Sequence, residues 1–147
     1  DLDFENFVSL CEYGIIHGPL NGRSVDGNIG IQTVQFIQMF FKNPEHVFNG
    51  LSDSYIDSDQ IFEDIAPISF LKLENINEDL ANFLVKKGFP KEDVEYVISH
   101  EKVNMTKNKV PDRNALWTEK SLNYVKQNER MIFRILSAKG IFYEKPF

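Results

Sequence analysis

The stretch "SFLKLENINEDLANFL", residues 69–84, predicts a strand that turns directly into a helix. Residues 68–73 are rich in apolar side chains and follow a proline, which is typical of a short, partly buried strand. Asn77 can cap the next helix, because its side-chain oxygen can accept a backbone N–H of the first turn. Apolar residues then recur at helical spacing: Leu80, Phe83 and Leu84. Gly88 supplies a stop, so the stretch predicts an α/β joint, and such joints often border ligand sites.

Outside this joint the chain is predicted to be mostly helical. Apolar residues recur at helical spacing in residues 4–11, in residues 31–41 and in later stretches. The predicted helix starts carry capping residues or prolines: Asp3, Asn43, Asp57 or Ser58, Pro90 and Thr118. The helix that begins at Thr118 is expected to be the longest, and Gly140 to close it.

Composition points to one folded domain over residues 1–147. The chain is 42% apolar and contains 13 phenylalanines, which is enough for a real core and argues against disorder. The net charge of −6 argues against non-specific nucleic-acid binding, which needs clustered positive charge. No apolar run approaches the about 20 residues of a membrane span.

A cytoplasmic location is predicted from the cysteine count and from the absence of a signal-peptide pattern. Cys11 is a single cysteine and permits no internal disulfide. Because the chain begins at Asp1 rather than at methionine, we expect a processed product or a fragment of a longer protein.

No metal site is predicted. The three histidines, His17, His46 and His100, are far apart in sequence and show no ligand spacing. The acidic stretch 53–64 fails the pattern of a calcium-binding EF-hand loop, because Tyr55 and Ile61 occupy ligand positions. That stretch is better interpreted as a solvated helix start.

A basic segment stands out in this acidic chain. Its cationic residues are Lys102, Lys107, Lys109 and Arg113. Lysines act as point charges for phosphate or sulfate, and a loop can wrap such an anion. A solvated charged loop is the alternative interpretation.

Several motifs, in order, resemble the sulfotransferase family. The strand–helix joint resembles the family's acidic strand end followed by an Asp-Leu helix start, through Leu73, Glu74, Asn75, Ile76, Asp79 and Leu80. Gln32-Thr33, before an apolar helix, is similar to a Gln-Thr pair of the family. "KVNMT", residues 102–106, is similar to a short Val-Asn-x-Ser/Thr motif, and residues 116–136 resemble the closing helix.

The resemblance implies an α/β fold: the mostly helical C-terminal part of a P-loop-NTPase-like sulfotransferase, with a parallel sheet. The implied enzyme moves a sulfuryl group from 3′-phosphoadenosine 5′-phosphosulfate to a hydroxyl or amine of a small-molecule or carbohydrate acceptor. The family's Lys/Arg-x-Gly-x-Thr/Ser donor loop is missing, so residues 1–147 are expected to form an incomplete domain that is inactive by itself.

The resemblance also implies roles for individual residues. The nucleotide-binding candidates are Lys102, Asn104, Lys107 and Lys109. Gln32 and Asn28 are the candidates for acceptor binding, and His17 is the nearest histidine that could serve as general base. Glu74 is expected to support the strand end, and no metal is implied.

Two other functions stay open at this point. One is a complete, non-catalytic helical protein-interaction domain, in which the phenylalanines serve the core and a partner groove. The other is a small phosphate-binding protein that uses the basic segment alone. In a fragment the strand at residues 68–73 would have an uncovered edge, so we also expect marginal stability or association, and the chain could form a homo-oligomer.

Overall fold

The computed structural model describes residues 29–100 and 117–142, and this part of the chain forms eight α-helices. Their bounds are α1 Ile31–Phe40, α2 Pro44–Gly50, α3 Asp53–Asp57, α4 Gln60–Asp64, α5 Ile76–Lys86, α6 Lys91–Ser99, α7 Glu119–Asn128 and α8 Arg130–Ala138. The described residues contain no strand, and their one β-type pairing is an isolated antiparallel bridge between Phe41 and Ile65.

The predicted α/β fold with a parallel sheet is therefore wrong for the described residues. Residues 68–72 are irregular, and a single 3₁₀ turn, Leu73–Asn75, leads into α5. The backbone N–H of Lys72 donates to the carboxylate of Asp79 at 2.8 Å. A local carboxylate thus satisfies a group that a sheet would have paired.

The predicted cap of α5 is also wrong. The helix begins at Ile76, one residue before Asn77, and its N-cap position makes no side-chain hydrogen bond. The side-chain amide of Asn77 instead donates to the carbonyl oxygen of His100 at 2.8 Å. Asn77 therefore ties the start of α5 to the end of α6.

The chain divides into two compact units. The first comprises Asp1–Pro67 and Pro111–Phe147, and the second comprises Ile68–Val110. The second unit is thus an insertion in the sequence of the first. The prediction of one domain over residues 1–147 stays a prediction.

The first unit has a fully buried apolar core. Its least exposed apolar side chains are Val34, Ile37, Val47, Ile56, Ile61, Met131 and Ile135. They come from α1, α2, α3, α4 and α8, so each of these helices contributes to one core. The predicted caps at Asn43 and Thr118 are confirmed, since Asn43 Oδ1 accepts from the His46 N–H and Thr118 Oγ1 from the Ser121 N–H. Neither Asp57 nor Ser58 is the N-cap residue of α4; that residue is Asp59.

The predicted closing helix does not run unbroken to Gly140. It is interrupted at Glu129, where φ is −103° and ψ is 15°, and this residue separates α7 from α8. The predicted stop at Gly140 is confirmed, with φ of 70°. At this interruption the Glu129 carboxylate accepts hydrogen bonds from the backbone N–H groups of Gln32 and Thr33 in α1.

The second unit is a helical hairpin of α5 and α6. Gly88 has φ of 98° and ends α5 as predicted, because a left-handed conformation suits glycine. The backbone N–H of Phe89 donates to the Leu84 carbonyl at 3.1 Å and closes the turn. Among the described residues of this unit, Ala81 and Val94 are the buried ones.

Candidate functional site

Most of the predicted site residues lie outside the described residues. These are His17, Asn28, Lys102, Asn104, Lys107 and Lys109. Gln32 is described, and it is exposed in the first turn of α1, where its backbone N–H donates to Glu129 Oε1 at 3.1 Å. Glu74 lies exposed in the 3₁₀ turn, so its predicted role at a strand end is wrong.

Glu129 is a buried carboxylate that the sequence analysis missed. Its side chain caps α1 from 96 residues away: Oε2 accepts from the Thr33 N–H and from Thr33 Oγ1, both at 2.7 Å. Beside it, the Gly30 N–H donates to the Asn128 carbonyl at 2.7 Å. The negative charge lies at the positive end of the helix dipole, where it is favoured.

Gly30 makes this carboxylate cap possible. A Cβ atom at Gly30 would lie 1.9 Å from Glu129 Oε1 and 2.4 Å from its Cδ, so only glycine leaves room for the carboxylate. Both carboxylate oxygens are occupied by donors of α1. The arrangement joins α1 to the α7–α8 break and is structural. No sequence pattern links residues this far apart, which is why it was missed.

Two arginines of α8 pair with three of the five carboxylates in the acidic stretch 53–64. Arg130 forms ion pairs with Asp53 and, at 3.7 Å, with Asp57. Arg134 donates to Asp59 at 3.0 Å and to the Ile56 carbonyl at 2.6 Å. Within residues 29–100 and 117–142, no group of three acidic, histidine or cysteine side chains could hold a metal ion.

Tyr55 is a protonated donor inside the first unit. Its hydroxyl donates to Asp64 Oδ2 at 2.8 Å. Burial, together with the hydrogen bond and the negative charge of Asp64, raises the pKa of Tyr55 well above its usual value. The phenol therefore stays neutral at physiological pH and is unsuited to act as a base.

A groove between α5 and α6 is one of the concave surfaces of the helical hairpin. Its volume is about 370 Å³, and its lining residues are Ala81, Asn82, Val85, Lys91, Glu92, Val94, Glu95 and Ile98. The floor is thus aliphatic and the rim is charged. Ile98 is 56% exposed, and the neighbouring Tyr96 is 64% exposed. The charged side chains of the lining are Lys91, Glu92 and Glu95.

The comparisons with known proteins bring no relative: no family model, curated protein or solved structure matches the chain. Over the described ranges, no helix is long and apolar enough to cross a membrane.

Proposed function

We propose that this chain is a non-catalytic helical protein-interaction module, and that the groove between α5 and α6 binds an amphipathic helix of a partner protein. The observation that carries the proposal is the incomplete burial of the hairpin. Ala81 and Val94 are buried in its described part, whereas Ile98, which lines the groove, is 56% exposed. Phe89 and Tyr96 are also more than half exposed, but they lie outside the groove lining.

Such a hairpin is expected to have a small free energy of unfolding by itself. The unit Ile68–Val110 is close to the length of about 40 residues below which a chain rarely buries enough apolar surface to fold by itself. Fully burying one aliphatic or aromatic side chain contributes about 1.5–3 kcal/mol. An apolar partner in the groove would gain part of such a contribution at Ile98, which is 56% exposed, and a smaller part at the half-buried Val85, since Ala81 and Val94 are already buried.

The dimensions of the groove favour a helix as the bound element. The walls are α5, of 11 residues, and α6, of 9 residues. At 1.5 Å per residue these walls are roughly 14–16 Å long, which matches about three turns of a docked helix. A helix of this length places apolar side chains at i, i+3 or i+4, and i+7 on one face, which is the usual anchor pattern of a helix in a groove.

Sulfuryl transfer from 3′-phosphoadenosine 5′-phosphosulfate stays a prediction. Its nucleotide-binding candidates, Lys102, Asn104, Lys107 and Lys109, lie outside the described residues. The strand on which the resemblance depended is absent from residues 68–73. No contact among the described residues favours this activity over the interaction module.

The proposal is tested with a synthetic helix and the full chain. The probe is a peptide of about 18 residues, with leucines at i, i+3, i+4 and i+7 and uncharged glutamine and alanine elsewhere. The control peptide has the same composition in scrambled order. We expect the ordered peptide to bind with a Kd of about 10–100 μM by calorimetry, which corresponds to about 5.5–7 kcal/mol. In NMR spectra, the shifted amide signals should be those of α5 and α6.

Two variants locate the site. Ile98→Gln removes an exposed apolar side chain from the groove and should weaken binding about fivefold or more. Leu73→Gln is the matched control, because Leu73 is 77% exposed but does not line the groove. Equal affinity for ordered and scrambled peptides, or equal loss in both variants, would contradict the proposal. So would a large loss of stability in Ile98→Gln, because it would mean that this chain already covers the face.

A further inference from the structure

We draw no further inference here: the strongest candidate, the concave surface between residues 69–71 and α5 that Leu71, Phe83 and Lys86 help to line, carries none because nothing in the described part of the chain shows what covers it.

Discussion

The two units differ in how completely each buries its apolar side chains and pairs its buried polar groups. In the first unit, apolar side chains such as Met131 and Ile135 have no exposed surface, and the buried Glu129 carboxylate has donors on both oxygens. Exposed large apolar side chains occur in both units, Met39 and Phe142 in the first and Leu73, Phe89, Tyr96 and Ile98 in the second, but the described part of the hairpin buries only Ala81 and Val94. A unit with a fully buried core and hydrogen-bonded buried polar groups provides stability. A unit with few buried side chains and uncovered apolar surface is suited to binding. The predictions that follow test this division of roles.

The largest effect is expected from truncating the core of the first unit. Ile135→Ala removes a fully buried side chain of α8 and should cost about 2–5 kcal/mol, because a cavity remains. The matched change in the hairpin, Ile98→Ala, should alter stability by less than about 1 kcal/mol, since that side chain is 56% exposed. Urea unfolding followed by circular dichroism measures both. Similar losses in the two variants would contradict the division of roles.

The next largest effect is expected at Gly30. Gly30→Ala would place a methyl group 1.9 Å from Glu129 Oε1, so the carboxylate must leave its donors on α1. We expect a loss of about 2–4 kcal/mol from the broken charged hydrogen bonds and the unsatisfied N–H groups.

Gly50→Ala is the control for this prediction. Apart from its own helix backbone and chain neighbours, nothing lies within 4 Å of the added methyl group there, and alanine is the better helix former at the end of α2. The control should be neutral or slightly stabilising in the same urea titration. An equally neutral Gly30→Ala would show that Glu129 does not occupy the cap in solution.

A smaller loss is expected when Thr33 is changed to valine. The substitution keeps the shape of the buried side chain but removes the hydroxyl that donates to Glu129 Oε2 at 2.7 Å. The Thr33 N–H remains as a donor, so we expect a loss of about 1–2 kcal/mol in free energy of unfolding. Thr33→Ser keeps the hydroxyl and should retain most of the hydrogen-bond contribution, although it removes a methyl group. A larger loss for serine than for valine would mean that packing, not the hydrogen bond, matters at this position.

The smallest effect at neutral pH is expected at Tyr55, where the clearest signature is in alkali. Its pKa is raised by folding, because of burial and of Asp64, so the folded state holds this proton more tightly than the unfolded state. The contribution is fully present below the unfolded pKa of about 10 and is lost as the pH rises further. Tyr55→Phe should cost about 1 kcal/mol at neutral pH and should lose stability less steeply than the original chain above about pH 10. The raised pKa of Tyr55 would be contradicted if the melting temperatures of the variant and of the original chain fell equally steeply with pH above about 10.

Local chemistry in the sequence predicted much of the helical content. The caps at Asn43 and Thr118 and the stops at Gly88 and Gly140 are confirmed, because each depends on neighbours within a few residues. The prediction of a strand at residues 68–73 was wrong. A short apolar run does not show whether a partner strand exists, so it is ambiguous between a strand and other buried structure. Here the Asp79 carboxylate takes the N–H of Lys72 instead.

The features that matter most for the site were beyond local inference. The break at Glu129 depends on donors 96 residues away, and the groove depends on which faces of α5 and α6 meet. The apolar periodicity of each helix was visible in the sequence. The exposure of Ile98 was not, because it depends on which other parts of the chain pack against α6. The sequence pattern identified the helices, and their pairing produced the surface.

The long span between Thr33 and Glu129 also has a consequence for how the protein is made. The helix α1 leaves the ribosome 96 residues before the carboxylate that caps it, and the whole hairpin is synthesised in between. Translation proceeds at about 5–20 residues per second, so the start of α1 must wait roughly 5–20 seconds without its cap. During this interval the apolar face of α1 lacks the core side chains of α8, including Met131 and Ile135. The first unit therefore completes its fold only after α8 has been synthesised, and until then α1 is the segment that a chaperone would have to protect.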